Sequence, residues 1–272
     1  MLILLTNDDG IHAPGLLAMY RELTRLGEVH VVAPETVQSA TGHGITLSAP
    51  LLTSQVRVAD AFTGTAVGGR PADCVKLAVA KLLPRAPDLV VSGINSGANV
   101  GINVIYSGTV AAAIEAAFLG LPSIALSLYL RAEVPADYTR SAMISRQIIE
   151  QSLAAGLHGG QCVTVNLPPL RAGQMPTGVR VVRQCVRGWA DTYDQRLDPR
   201  GRSYFWNSSV FTLGDTEADT DVAALRDGYV TITPLQFDLT QYAMMREWKD
   251  REWKVKEEGG AGTKARRHEG TK

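Results

Sequence analysis

The residues best placed to do chemistry stand near the start of the chain, where Asn7-Asp8-Asp9-Gly10 follows the short apolar run 1–6. Adjacent carboxylates repel one another unless a proton or a cation lies between them. A hard divalent ion such as Mg²⁺ or Mn²⁺, which takes oxygen ligands, suits that pair. Asn7 and Asp8 equally suit the capping of a following helix, and on this stretch alone the two readings stand even. A second stretch runs from Gly93 to Thr109 and is rich in glycine and asparagine. Asn95 falls just past an apolar strand, where its amide oxygen could complete a shell begun by Asp8 and Asp9. Ser107-Gly108-Thr109 opens an alanine-rich helix, whose first N–H groups and dipole make a seat for phosphate. Ordinary N-capping by Ser107 is the simpler account of that segment and is compatible with phosphate binding.

Three phosphate chemistries are excluded by spacing. The chain has no Gly-x-x-x-x-Gly-Lys-Ser/Thr loop and no Gly-x-Gly-x-x-Gly after its first strand. An aspartyl-phosphate phosphatase carries two aspartates separated by one residue, whereas here they are adjacent. Metal-assisted hydrolysis with protein oxygens holding the ion is what remains.

These groups need a scaffold, and the apolar pattern supplies one. The run 1–6 is short, bounded and apolar, as expected of a parallel strand buried on both faces. Open α/β sheets bind ligands at the carboxyl ends of such strands. Residues 14–26 have helical spacing, 29–33 form a strand, and 35–44 a small polar loop. An alternating pattern continues loosely from 45 to 65. A helix opens at Pro71, and strands follow at 88–92, 122–128 and 162–166, separated by helices at 108–119 and 138–153. Strand and helix alternate, so the expected fold class is α/β, a Rossmann-like, doubly wound, mostly parallel sheet.

Residues 179–189 and 203–211 are strand-like, and Asp198-Pro199-Arg200-Gly201 between them has turn chemistry. A C-terminal antiparallel β arm over about 179–211 is expected. It cannot bury two faces by itself, so it packs either on another subunit or back on its own domain. Residues 215–221 form an acidic loop, read as solvated and helix-capping. A last strand spans 228–233 and a helix 238–256. Residues 1–256 are expected to form a single domain, with 257–272 a disordered charged tail.

Of 272 residues, 27 are basic and 27 acidic, so general attraction to nucleic-acid polymers or to membranes is not expected. Cys74, Cys162 and Cys185 are too few and too dispersed for a disulfide frame or a zinc site. No apolar run reaches membrane-spanning length and no signal peptide is evident, so the expected location is the cytoplasm.

Five segments, in order, resemble the SurE family of stationary-phase survival proteins, which are metal-dependent nucleotidases. They are Thr6-Asn7-Asp8-Asp9-Gly10; Ala33-Pro34 with Ser39; Pro71-Ala72-Asp73-Cys74-Val75; Ser92 through Gly101; and Tyr106-Ser107-Gly108-Thr109-Val110. Gly228 through Leu235 is similar to the family's last strand. The resemblance covers nearly the whole chain to about Trp253. It implies a homodimer or homotetramer assembled through the arm. It implies hydrolysis of nucleoside 5′-monophosphates, and of 3′-monophosphates as a further substrate class. It also implies one divalent cation per subunit, Mg²⁺ or Mn²⁺, held by Asp8, Asp9, Ser39 and Asn95, with Asp8 and Asp9 catalytic. Phosphate contacts are expected from Asn99, Ser107, Gly108 and Thr109. Glu35-Thr36 stands where family members often carry Asp-Arg, which removes any substrate contact made by that arginine. His43 is open between a general acid and a loop residue without a role. A nucleotide-binding sensor without turnover is the main alternative function, and all four implied ligands being present argues against it. A metal-dependent glycosyltransferase or deacetylase would explain the carboxylates but not the helix start at Ser107.

Overall fold

A computed structural model describes residues 1–187, 192–208 and 213–255. The chain divides into two compact units, Met1–Phe237 and Asp238–Lys272. In the first unit, β1 (Leu2–Thr6) is buried along its whole length. It pairs in parallel with β2 (Glu28–Pro34) on one side and β5 (Leu89–Ser96) on the other. The antiparallel pair β3 (Thr53–Val58) and β4 (Phe62–Val67) extends the sheet beyond β2. Strands β6 (Ser123–Leu128) and β7 (Cys162–Leu167) extend it beyond β5, both parallel. The final strand β11 (Tyr229–Leu235) runs antiparallel to β7, and β8 (Gly178–Val181) closes the edge. The nine-stranded order is β3-β4-β2-β1-β5-β6-β7-β11-β8.

The strands up to β4 extend the sheet from β1 in one direction, and those from β5 onward extend it in the other. The order reverses between β1 and β5, and open α/β sheets place their ligand crevice at such a reversal. Alternation along β1 sends side chains to both faces. Ile3 and Leu5 pack with Leu16 and Met19 of α1 (Pro14–Leu23) and Ile148 and Ile149 of α4 (Tyr138–Ala154). Leu4 packs on the other face with Cys74 and Val75 of α2 (Pro71–Leu77) and Ala112 and Ala116 of α3 (Gly108–Phe118). Burying side chains of this size stabilises by about 1.5–3 kcal/mol each.

Several boundaries differ from the sequence expectation. β5 runs on to Ser96, with a register irregularity against β6 between Ser92 and Asn95. Asn95 therefore stands within the strand end and not beyond it. Residues 179–181, expected in the arm, belong to β8 in the main sheet. The hairpin instead joins β9 (Tyr193–Leu197) to β10 (Ser203–Asn207) around the expected Asp198–Gly201 turn. Positions 188–191 and 209–211 of the expected arm lie outside the described residues, as does the expected tail 257–272. The hairpin exposes Tyr193, Leu197, Phe205 and Trp206. The loose alternation over 45–65 resolves into β3 and β4, the first beginning only at Thr53. Asp221 is buried, not solvated, and opens a short helix, α5 (Asp221–Arg226), whose N-cap is Thr220. The second unit's described part centres on α6 (Tyr242–Lys249), shorter than the 238–256 expected, with Gln241 capping Met244 N–H at 2.7 Å.

Candidate active site

The site forms at the carboxyl ends of β1 and β5. Gly10 turns the chain out of β1 with φ +92°, a conformation that disfavours a side chain. The Asn7 amide steadies this turn by donating to the Gly10 carbonyl at 2.9 Å. Asp8 is buried directly beneath the first turn of α3, where the Thr109 hydroxyl donates to its Oδ1. Gly108 is the one residue type that fits between them, because a Cβ there would lie 2.8 Å from the Asp8 Cβ. Ser107 caps the helix by accepting the Val110 N–H at 3.1 Å, so the capping account of this residue holds. The Asp8 carboxyl is pushed up to about 6 by burial, with the Asp9 charge adding to it and the Thr109 hydroxyl opposing it.

Asp9 accepts the Ser96 N–H at 2.8 Å, which ties it to the end of β5 beside Asn95. The Asn95 amide nitrogen donates to the Gly97 carbonyl at 2.8 Å, leaving its oxygen as the atom that can ligate. Ser39 is exposed, and its neighbour Gln38 donates its N–H to the Asp8 carbonyl at 2.8 Å. Each of Ser39 and Asn95 thus adjoins a residue hydrogen-bonded to Asp8 or Asp9. Asn99 is buried deeper. Its amide nitrogen donates to Ser127 at 2.8 Å, and its backbone exchanges bonds with the Asn166 amide at 2.8 and 3.1 Å.

The donor chemistry fits a hard cation. Two neighbouring carboxylates, an amide oxygen and a hydroxyl are all oxygen donors. Burial already resists the charge on Asp8, and a cation would relieve that penalty together with the repulsion from Asp9.

Two functional supports were not legible beforehand. Asp221 accepts the Gly101 and Cys185 N–H groups at 2.8 and 2.9 Å, fixing the 3-10 turn Gly101–Ile105 that leads to Ser107. Glu115 of α3 binds both His43 and Lys76. Only the fold brings these partners together, and no local pattern marks them. Ser96 is likewise hydrogen-bonded to the Tyr138 hydroxyl, at 2.7 Å.

A doubly wound sheet with a carboxylate pair and a helix N-terminus at its reversal point defines a class of phosphate-handling α/β proteins. The family model described as Survival protein SurE matches residues 3–191, a span that contains every candidate site residue. The chain belongs to the SurE family. A protein named 5'-nucleotidase SurE from Syntrophobacter fumaroxidans is 46% identical over 245 residues, covering 90% of this chain and 97% of that one. A protein of the same name from Carboxydothermus hydrogenoformans is 43% identical over 266 residues, covering 97% of this chain and 100% of its own. The crystal structure of the SurE protein from Aquifex aeolicus superposes with a TM-score of 0.79 at 37% identity, covering 92% of this chain and 98% of that one.

Proposed function

We propose that the chain hydrolyses nucleoside 5′-monophosphates to nucleoside and phosphate, using one Mg²⁺ or Mn²⁺ per subunit. The observation that carries this reading is the meeting of Asp8 with the start of α3, which would put an anionic metal seat against a phosphate seat. The names of the relatives supply the substrate class. Asp8, Asp9, Ser39 and Asn95 are the residues that would hold the ion. Such a cation polarises a phosphoryl oxygen and acidifies a bound water.

The chain's own part is positional and electrostatic. The Thr109 N–H bonds the Asp8 carboxyl, while the Gly108 N–H and the dipole of α3 favour an anion at the helix start. They would hold phosphate oxygens as charge shifts during in-line displacement. Thr109 joins α3 to the metal seat, because its hydroxyl and its N–H both bond the Asp8 carboxyl. Asn99 supports the loop that leads to this helix, and its second amide hydrogen is its available contribution to phosphate. The exposed aromatic hairpin β9–β10 is the proposed route to a homodimer or homotetramer. Among the described residues no helix is long and apolar enough to cross a membrane; the cytoplasm is the proposed location. Phosphate release from a panel of nucleoside 5′- and 3′-monophosphates, with Mg²⁺, Mn²⁺ or chelator, tests the reading. Release from 5′-monophosphates that stops with chelator is the expected result, and release that ignores chelator would refute the metal's role.

A further inference from the structure

The segment that carries Ser39 is anchored at a point remote from the phosphate seat. Between Gln38 and Thr46 the backbone is held by Gln38 N–H on the Asp8 carbonyl at 2.8 Å and Gly42 N–H on the Tyr106 carbonyl at 3.0 Å. Asp73 accepts the Thr46 N–H and hydroxyl at 2.9 and 2.7 Å. In the middle, the His43 Nε2 lies 2.8 Å from the Glu115 carboxylate, and the His43 ring stacks on Phe118 at 5.2 Å and 10°. Ala40, next to Ser39, has φ +55°. Alanine disfavours this left-handed conformation, so the surrounding anchors must maintain it.

Glu115 is built for this task. Its side chain is 6% exposed, and each oxygen has its own partner, Lys76 Nζ at 3.0 Å on the other side. Burial pushes the Glu115 carboxyl up, but its bonds to His43 and Lys76 outweigh this and hold it below its usual value. An ionised carboxylate only accepts, so the His43 Nε2 carries the hydrogen and donates. Glu115 lies six residues beyond Thr109, about 9 Å of helix rise. His43 is thus committed to a partner well away from the phosphate end of α3, which suits a tether and not a general acid.

The geometry points to Glu115 as a positioning residue for the cation site, holding through His43 the 38–46 segment in the conformation that presents Ser39 beside Asp8. The inference rests on the reading of Ser39 as a ligand. If only a fraction of molecules presents Ser39, the apparent cation affinity falls by that fraction. A helix-packing role for Glu115 would instead act through Lys76, leaving affinity alone and lowering thermal stability.

Mn²⁺ titration of the full chain by calorimetry, with thermal melts alongside, separates these roles. His43→Phe keeps the ring on Phe118 and removes the donor. Glu115→Gln keeps the shape and removes the charge, and Lys76→Met removes only the other partner. His43→Phe and Glu115→Gln should weaken Mn²⁺ binding about three- to tenfold, the scale of losing one charge-assisted hydrogen bond from a partly coupled loop. Lys76→Met should stay within about twofold of wild type, while its melting temperature falls. Wild-type affinity in His43→Phe overturns the inference, as does equal weakening in Lys76→Met. His43→Phe decides the matter alone should Glu115→Gln fail to fold. No Mn²⁺ binding by the wild-type chain overturns the metal reading itself, and this inference with it.

Discussion

Along less than two turns, α3 faces two clusters of charge held in opposite states. At its start Asp8 is buried beside Asp9, and its carboxyl is pushed up to about 6. Further along, Glu115 is as well buried but sits between His43 and Lys76, and is held down. Burial opposes ionisation in both cases. The difference lies in the partners: the first cluster has too much negative charge and the second is balanced. An unbalanced buried cluster is a place that awaits a ligand, while a balanced one serves to hold elements together.

The largest expected effect comes from removing the imbalance. Asp9→Asn should nearly abolish hydrolysis while the fold survives, and the metal-free protein should melt at the wild-type temperature or above, since a repulsion is lost. A large drop in melting temperature would mean that the pair is structural, and the contrast with Glu115 would collapse.

Thr109→Val should come next. Losing a hydrogen bond to a charged group costs about 1.5–3 kcal/mol, or roughly ten- to a hundredfold in kcat/KM. Because that hydroxyl also holds Asp8, cation affinity near neutral pH should weaken as well. A kinetically silent Thr109→Val would mean that the hydroxyl's hold on Asp8 does not matter to turnover.

The pH dependence of stability sharpens the comparison, because the two clusters should act with opposite sign. Asp8 is raised from 3.8 to about 6 in the folded state. Its stabilising contribution is present below pH 3.8 and is lost as pH rises through about 6, some 3 kcal/mol at most, as about two pKa units imply. Glu115 is lowered from 4.5, so its contribution is present above 4.5 and is lost as pH falls below that value. Melting temperatures of chelated protein between pH 4.5 and 7 should therefore fall with rising pH, and saturating Mn²⁺ should flatten or reverse that slope. A chelated protein whose melting point rises across this interval would contradict the account of Asp8.

How far these clusters were legible in the sequence follows the same division. Asp8 and Asp9 stand out because a five-residue apolar strand and a turn glycine are local signals, and Ser107-Gly108-Thr109 because helix starts have their own chemistry. Ser39 came only from the family resemblance, since an exposed loop serine has no signature of its own. Glu115 is one acidic residue in an alanine-rich helix, and its partners lie 72 and 39 residues away. Asp221 reads as part of an acidic loop until the fold places Gly101 and Cys185 against it. Residues 179–181 of β8 read as part of the arm because they resemble any edge strand. Its partner β11 lies some fifty residues on, and nothing local distinguishes sheet from hairpin.

The most direct test of the central claim is phosphate release from a nucleoside 5′-monophosphate by protein first stripped with chelator and then given Mn²⁺, wild type beside Asp9→Asn. The account predicts that the wild-type chain is silent when stripped and active when resupplied, with Asp9→Asn silent in both. Turnover by Asp9→Asn at the wild-type rate would contradict it.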